Sequence, residues 1–369
     1  MPHDPYKALY VHIPFCKSRC NYCDFHTRAV AEDSPEIDSY IEGLVSKIRE
    51  KGAEGELSEI ETVYIGGGTP TFAKSRGLTQ ILYALGLSMS LSSEVECTVE
   101  GNPDSIDERL VRDIWALGAN RMSIGVQSFD DGLLQAIGRI HSADDARRAI
   151  ADAQTRFENV SVDLMCGLPG QSMEQFEDSL EEAIRLGAKH VSIYPLTIER
   201  GTKFDRMMRK GRLELPDDDA QADMMELAAS VLESGGLRRY EVASYAAPGF
   251  ESRHNESYWQ GKPYLGIGES AVSMTQNAER RMRTQDGIVV DDLGREQMAA
   301  EDLMLAMRMT EGISKERLAE LSRVLPGIDR EMMRLESLGL VSPSDGGWAP
   351  TERGWMLGNE LFGALLDLA

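Results

Sequence analysis

The chain has 369 residues, enough for one large domain and a smaller one, and its 42% hydrophobic and 27% charged residues are those of an ordinary globular protein. A net charge of −22 argues against wrapping nucleic acid or docking on an anionic membrane, because both need excess positive charge. No apolar run approaches the roughly 20 residues that span a bilayer, and the opening MPHDPYKALYVHIPF has no basic segment followed by an apolar stretch and a small-residue cleavage site. A soluble cytoplasmic protein with no transmembrane segment is expected.

In chain order, short β-branched or aromatic runs alternate with longer stretches of helical period. ALYVHIP (8–14) predicts the first strand, followed by a loop with three cysteines and a helix near 35–51. ETVYIGG (61–67) leads into a helix near 75–89, and EVECTVEGN (94–102) into one near 105–118, where Leu110, Ile114 and Leu117 share a face. RMSIGVQS (121–128), VSVDLMCG (160–167) and HVSIYPLT (190–197) complete six strands, with helices near 142–156 and 172–187. Near-continuous apolar strands alternating with helices imply an α/β fold with a parallel sheet covered by helices. Six units are too few for an eight-fold barrel, so an open, partial (β/α)6 barrel is expected over residues 1–215. In such sheets chemistry gathers at the C-terminal strand ends, where the motifs below fall.

A helix near 217–236 and a less regular stretch, 238–290, form an expected barrel extension over 216–294. From 295 to 369, REQMAAEDLMLAMRM, SKERLAELSRV and DREMMRLESLGLV predict three helices. SPSDGGWAPTERG then reads as a hairpin turning at Asp345-Gly346-Gly347. Together they suggest a C-terminal helical, winged-helix-like domain, and the acidity of the chain favours a lid or packing role for it over DNA binding. Its Met stripes, 298–309 and 332–333, are expected in the core.

Five cysteines, three of them (Cys16, Cys20 and Cys23) inside eight residues, argue for metal rather than a disulfide framework. Three thiolates bind three corners of a [4Fe–4S] cluster and leave one iron without a protein ligand. S-adenosylmethionine (SAM) can chelate that iron through its amino and carboxylate groups, and one electron then cleaves the sulfonium, chemistry that belongs to the cofactor. Zinc, with His12 or His26 as fourth ligand, is the rival. Gly66-Gly67-Gly68-Thr69-Pro70 ends the second strand and lets a ligand approach free backbone N–H groups, unless it is merely a tight turn. Glu100, Gln127 and Asp163 sit at or near later strand ends, where they can bond ribose hydroxyls or an α-amino group, or simply be solvated. Arg139 can pair with a carboxylate or form a surface salt bridge. Cys97 and Cys166 read as small buried apolar residues. His254, in Arg253-His254-Asn255-Glu256-Ser257-Tyr258-Trp259, is either an axial haem ligand between aromatic walls or a satisfied structural histidine.

Taken together, YVHIPFC (10–16), GGGTP (66–70), RMSIGVQSF (121–129), GRIH (138–141), DLMCGLPGQ (163–171) and YEVASYA (240–246) resemble the oxygen-independent coproporphyrinogen dehydrogenase-like radical SAM proteins over nearly the whole chain. The resemblance implies the partial barrel, a [4Fe–4S] cluster on Cys16, Cys20 and Cys23, bound SAM, and an electron donor such as flavodoxin or ferredoxin. That family holds the dehydrogenase, haem chaperones and radical methyltransferases. The dehydrogenase branch has a further cysteine two residues after the third, where this chain has Phe25. The chaperone branch carries HNxxYW, matched here by His254, Asn255, Tyr258 and Trp259. It thereby implies His254 as a haem contact, a haem or porphyrin ligand and a haem-accepting partner protein. Gly268-Glu269-Ser270-Ala271-Val272-Ser273 is closer to the dehydrogenase wording. By position, Tyr10, Gly67, Glu100 and Val272 resemble contacts to cluster-bound SAM, and Tyr22, Gly68, Thr69, Gln127, Arg139 and Asp163 resemble those to a second SAM. A haem chaperone is the function the resemblance favours; coproporphyrinogen III oxidation and radical methyl transfer are the alternatives.

Overall fold

A computed structural model describes residues 3–89, 94–344 and 346–369, so Asp345 of the turn signal lies outside the described residues. Six parallel strands run side by side in chain order: β1 Ala8–Ile13, β2 Thr62–Gly67, β3 Glu96–Gly101, β4 Arg121–Gln127, β5 Asn159–Cys166 and β6 His190–Pro195. They are the six strands predicted from the sequence. One face of each strand is apolar and buried, as in Leu9, Val11 and Ile13 of β1 and Val162 and Leu164 of β5, while the alternate positions carry polar groups such as Tyr10, His12, Ser161 and Asp163. Helix Pro35–Ala53 covers them with Ile37, Ile41, Leu44 and Ile48, and helix Met173–Arg185 with Phe176, Leu180 and Ala183. Helices Ala143–Gln154 and Met173–Arg185 each begin with a capping box, Ser142 with Asp145 and Ser172 with Gln175, which fixes where each helix starts. The fold is the α/β partial barrel expected.

The sheet continues past both ends of that set. β7 Arg238–Arg239 and β8 Ser244–Ala246 add antiparallel strands next to β6, and β9 Tyr264–Ile267 lies parallel to β1 on its other side. β10 Val272–Gln276, β11 Arg280–Gln285 and β12 Ile288–Gly294 follow as an antiparallel meander, giving twelve strands among the described residues. The stretch 238–290 is therefore regular where its sequence reads as irregular. Its strands are short, and its polar, glycine-rich composition sustains no clear alternation. It also holds the helix Arg253–Trp259, capped by Ser252 and too short to show a helical period.

The C-terminal domain has its own apolar cluster, around Leu303, Met307, Leu335 and Leu361. The three predicted helices are Arg295–Ala306, Lys315–Leu321 and Ile328–Ser337. They pack with a three-stranded sheet of β13 Ile313–Ser314, β14 Val341–Ser344 and β15 Gly347–Pro350, and with two further helices, Glu352–Met356 and Gly358–Leu366. Met307, Met309 and Met332 are buried as expected, but Met333 is 56% exposed, because adjacent helix positions cannot both face one core. Arg281, 2% exposed, ties the meander to the helix Arg295–Ala306 through Glu301 and Asp302. The Arg308 guanidinium lies over the rings of Trp259 and Phe362, at 4.9 and 4.7 Å from their centroids. Among the described residues no helix is long and apolar enough to cross a membrane.

Candidate functional site

The cysteine loop is closed at its base by a short parallel pairing of Phe15–Cys16 with Arg28–Ala29. All five cysteines are free; Cys16 is buried, and Cys20 and Cys23 are half-buried. The Cys16 sulfur accepts a hydrogen bond from Thr69 Oγ1 at 3.5 Å, and the Cys20 sulfur accepts one from Arg139 Nη1 at 3.6 Å. Burial pushes the Cys16 thiol up, and the Thr69 bond pulls it back. A Cβ on Gly68 would stand 2.9 Å from the Cys16 sulfur and 2.7 Å from Phe15 O, so only glycine lets the GGGTP loop lie this close to the first cysteine. Three thiols from one loop, with a hydroxyl donor at one and a guanidinium at another, suit a cluster held by thiolates. Among the described residues no three His, Cys, Asp or Glu side chains, the loop cysteines included, converge closely enough to hold a single ion. Both rival zinc ligands are engaged elsewhere: His12 with Tyr10 OH (3.0 Å) and His26 O (2.9 Å), His26 with Glu269 (3.3 Å).

Beside the loop lies a cavity of about 630 Å³, and its lining includes Tyr10, Gly67, Glu100 and Val272, all four positions matched to cluster-bound SAM. Phe25, His26, Tyr258 and Trp259 complete much of its wall. Gly67 has φ +121°, and a Cβ there would meet the His12 ring at 2.6 Å. The Glu100 carboxylate accepts hydrogen bonds from Tyr64 OH (2.6 Å) and Gly67 N (3.1 Å). Burial pushes its pKa up to about 7, with the nearby Asp163 charge adding to the rise and the Tyr64 bond opposing it. Tyr64 was not singled out from the sequence. A tyrosine inside a buried parallel strand needs a partner for its hydroxyl, and that was the available signal.

His254 stands behind this wall rather than in it. The imidazole is 1% exposed; Nδ1 pairs with Thr62 Oγ1 at 2.8 Å and Nε2 with Tyr258 OH at 3.0 Å, while the ring stacks on Tyr64. Burial, helped by the Arg121 charge, holds its pKa down to about 3, so the ring is neutral. Thus one short helix buries its histidine and presents Tyr258 and Trp259 to the cavity.

The six positions matched to a second SAM do not share a cavity. Thr69 and Arg139 line a pocket of only about 10 Å³ next to Cys20. Arg139 neither pairs with a carboxylate nor lies in a surface salt bridge. Its guanidinium donates to Asn102 Oδ1 at 2.8 Å and to Gly125 O, as well as to Cys20. Gly68 lies against Cys16, and Tyr22 packs on a separate apolar cluster with Leu133, Ile137 and Phe204. Gln127, at φ +70° beside a β-bulge, ends β4. Asp163 accepts from Ser123 at 3.2 Å within the sheet, where burial pushes its pKa up. Cys97 and Cys166 are fully buried, and burial pushes both thiols up to about 12.

Residues 10–183 match the radical SAM superfamily and residues 293–357 the HemN C-terminal domain. A Bacillus subtilis protein named heme chaperone HemW is 36% identical to this chain, over 98% of it and 99% of the relative. The chain belongs to the HemW family. Another HemW, from Escherichia coli K12, is 37% identical over 72% of this chain and 69% of its own. The solved structure of E. coli coproporphyrinogen III oxidase (HemN), a radical SAM enzyme, has the same fold, with a TM-score of 0.81 at 18% identity over 99% of this chain and 91% of that one. Membership in this radical SAM family implies SAM and a [4Fe–4S] cluster, and in this HemW-family chain Cys16, Cys20 and Cys23 are the thiols that would hold the cluster. When bound, such a cluster supplies single electrons to SAM.

Proposed function

We propose that this chain is a haem chaperone, holding haem in the cavity beside the cysteine loop and passing it to a haem-requiring acceptor protein in the cytoplasm. The observation that carries this reading is the helix Arg253–Trp259, whose Tyr258 and Trp259 enter the wall of the cavity that also contains Tyr10, Gly67, Glu100 and Val272. A volume of about 630 Å³ falls in the range of small-molecule sites, and flat aromatic walls suit a macrocycle. Phe25, 66% exposed, stands at the cavity where the dehydrogenase branch has its extra cysteine, which supports a holding role over an oxidative one. The relatives named HemW agree with it. His254 serves this site from behind, orienting the Tyr258 hydroxyl; ligation of haem iron by His254 requires exchange of its bond to Tyr258 or Thr62. Glu100, whose carboxylate is held by the Gly67 N–H, serves SAM on the cysteine side of the same cavity.

The test is an anaerobic assay of the cluster-reconstituted protein with SAM, dithionite, and either coproporphyrinogen III or haem. The expected result is stoichiometric haem binding with no porphyrin product. Affinity should fall on the order of tenfold in Trp259→Ala, since a well-packed aromatic contact contributes about 1 kcal/mol beyond its buried area, and also in His254→Ala. Protoporphyrinogen formed with SAM turnover would instead make the chain a dehydrogenase, and a methylated product a methyltransferase; either result overturns the chaperone reading.

A further inference from the structure

The cavity beside the cysteine loop has two chemically different ends. Of the described residues that line it, Glu100 is the one carboxylate and Arg283 the one lysine or arginine. They stand on β3 and β11, with β10, β9, β1 and β2 between them in the sheet. The acid therefore belongs to the cysteine side and the cation to the far side, in the antiparallel meander.

The register of the meander explains how the guanidinium reaches the cavity. Tyr264 pairs with Met274 across β9 and β10, and Met274 with Arg283 across β10 and β11, so the three form one cross-strand row. All three line the cavity, as do Val272 and Gln285, a pair two positions along on the same face. Arg281, also on that face of β11, is buried and already ties the meander to the helix Arg295–Ala306 through Glu301 and Asp302. Arg283 repeats the bond to Glu301, at 2.8 Å, and adds one to Asp291, at 2.6 Å, yet its side chain stays 19% exposed beside the Tyr264 hydroxyl. A guanidinium has five N–H donors in one plane. Asp291, Glu301 and Tyr264 account for three, hold the fork in place and leave two uncommitted. Fastening the meander to the C-terminal domain is met by Arg281. It does not explain a second arginine in a wall otherwise made of Val272, Met274, Leu305 and Trp259.

We propose that Arg283 anchors a propionate carboxylate of the bound tetrapyrrole, so that haem lies with its propionate edge toward the meander and its apolar edge toward the cysteine loop. This assignment rests on the chaperone reading and adds which part of the cargo is recognised. Haem is a flat apolar macrocycle with two carboxylates on one edge. Burying a carboxylate without a partner is costly, whereas a planar guanidinium meets it with charge-assisted hydrogen bonds. The reverse orientation would set the propionates against Glu100 and leave Arg283 facing carbon. Asp291, 38% exposed, is the more solvated of the two carboxylates on Arg283 and the one with which a propionate competes.

The probes are haem and haem dimethyl ester, whose propionates carry no charge, each titrated anaerobically into the cluster-reconstituted protein while the Soret band is followed. Wild type should hold haem on the order of tenfold more tightly than the diester, the scale of one charge-assisted hydrogen bond. Arg283→Gln, which keeps an amide donor for Glu301, should lose most of that preference, and Asp291→Asn, which removes a competing carboxylate, should widen it. Arg280→Gln, on the other face of β11 and outside the cavity, should leave it as in wild type. Comparing the two probes within each variant cancels a general loss of folding or of apolar contact. If Arg283→Gln does not fold, Asp291→Asn reads the same anchor with the arginine in place. Binding of neither probe by wild type would remove the chaperone reading and the anchor with it. Haem bound by wild type with no preference over the diester would overturn the anchor alone. So would a preference in Arg283→Gln equal to that of wild type, or one that Asp291→Asn fails to widen.

Discussion

The two halves of the cysteine loop face different surroundings. Its second half, through Phe25 and His26, borders a cavity of about 630 Å³, whereas its first half, through Lys17, Ser18 and Cys20, borders a pocket of about 10 Å³, roughly the space of one water. Residues matched to a SAM exist for both surroundings. Around the cavity, Tyr10, Gly67, Glu100 and Val272 share one open volume. Near Cys20, Arg139 spends its donors on Asn102, Gly125 and the cysteine itself. The same residue types thus line an open volume on one side of the loop and bond to neighbouring protein groups on the other.

The sharpest way to test that division is to remove what both halves share. Cys20→Ser should abolish the visible absorbance of the anaerobically reconstituted protein, whereas Cys97→Ser and Cys166→Ser, at fully buried positions outside the loop, should retain it. An unchanged spectrum in Cys20→Ser would sink the cluster assignment for both halves at once.

On the cavity side, the largest effect short of losing the cluster should come from Glu100. Its carboxyl titrates near 7 when folded, against about 4.3 in an unfolded chain. The folded protein thus holds an extra proton between those values. That contribution is complete below the unfolded value and is lost as the pH rises from there through 7, a change of at most about 3.7 kcal/mol. Thermal melts of the cluster-free protein should show the midpoint falling between about pH 5 and 7 and levelling above that, with a smaller fall in Glu100→Gln. Parallel curves would mean that the proton on Glu100 is not coupled to folding.

Much of this was legible in advance, for reasons that differ by region. Six strands stood out because a buried parallel strand writes its position as an apolar run, and their ends placed Cys16, Gly67 and Glu100 near one another. The stretch 238–290 was opaque because β9 to β11 leave most of their residues only half-buried and alternate with turns. The cavity wall built there, from Tyr258, Trp259 and Val272, came from motif resemblance alone. His254 shows the limit of a motif: HNxxYW names the residues, but only the packing against Thr62 and Tyr64 shows that the histidine lies behind the aromatic pair. Arg139 was misjudged for a related reason. Sequence offers a guanidinium the common partners, carboxylate or solvent, and does not reveal that a carbonyl, an amide oxygen and a cysteine sulfur converge on it.

Arg139 also supplies the smallest and most selective test of the comparison. A cation donating to a cluster-ligand sulfur stabilises the reduced, more negative state more than the oxidised one. Arg139→Ala should therefore shift the reduction potential to a more negative value. The loss of one hydrogen bond, about 1 kcal/mol, corresponds to roughly 40 mV for one electron. Haem affinity should stay at the wild-type value, because Arg139 does not line the cavity. A spectroelectrochemical titration reads the first quantity and a haem titration the second. A potential equal to that of wild type would mean that Asn102 and Gly125 alone explain the position of the guanidinium, leaving the tight side of the loop as packing with no electrostatic hold on the cluster.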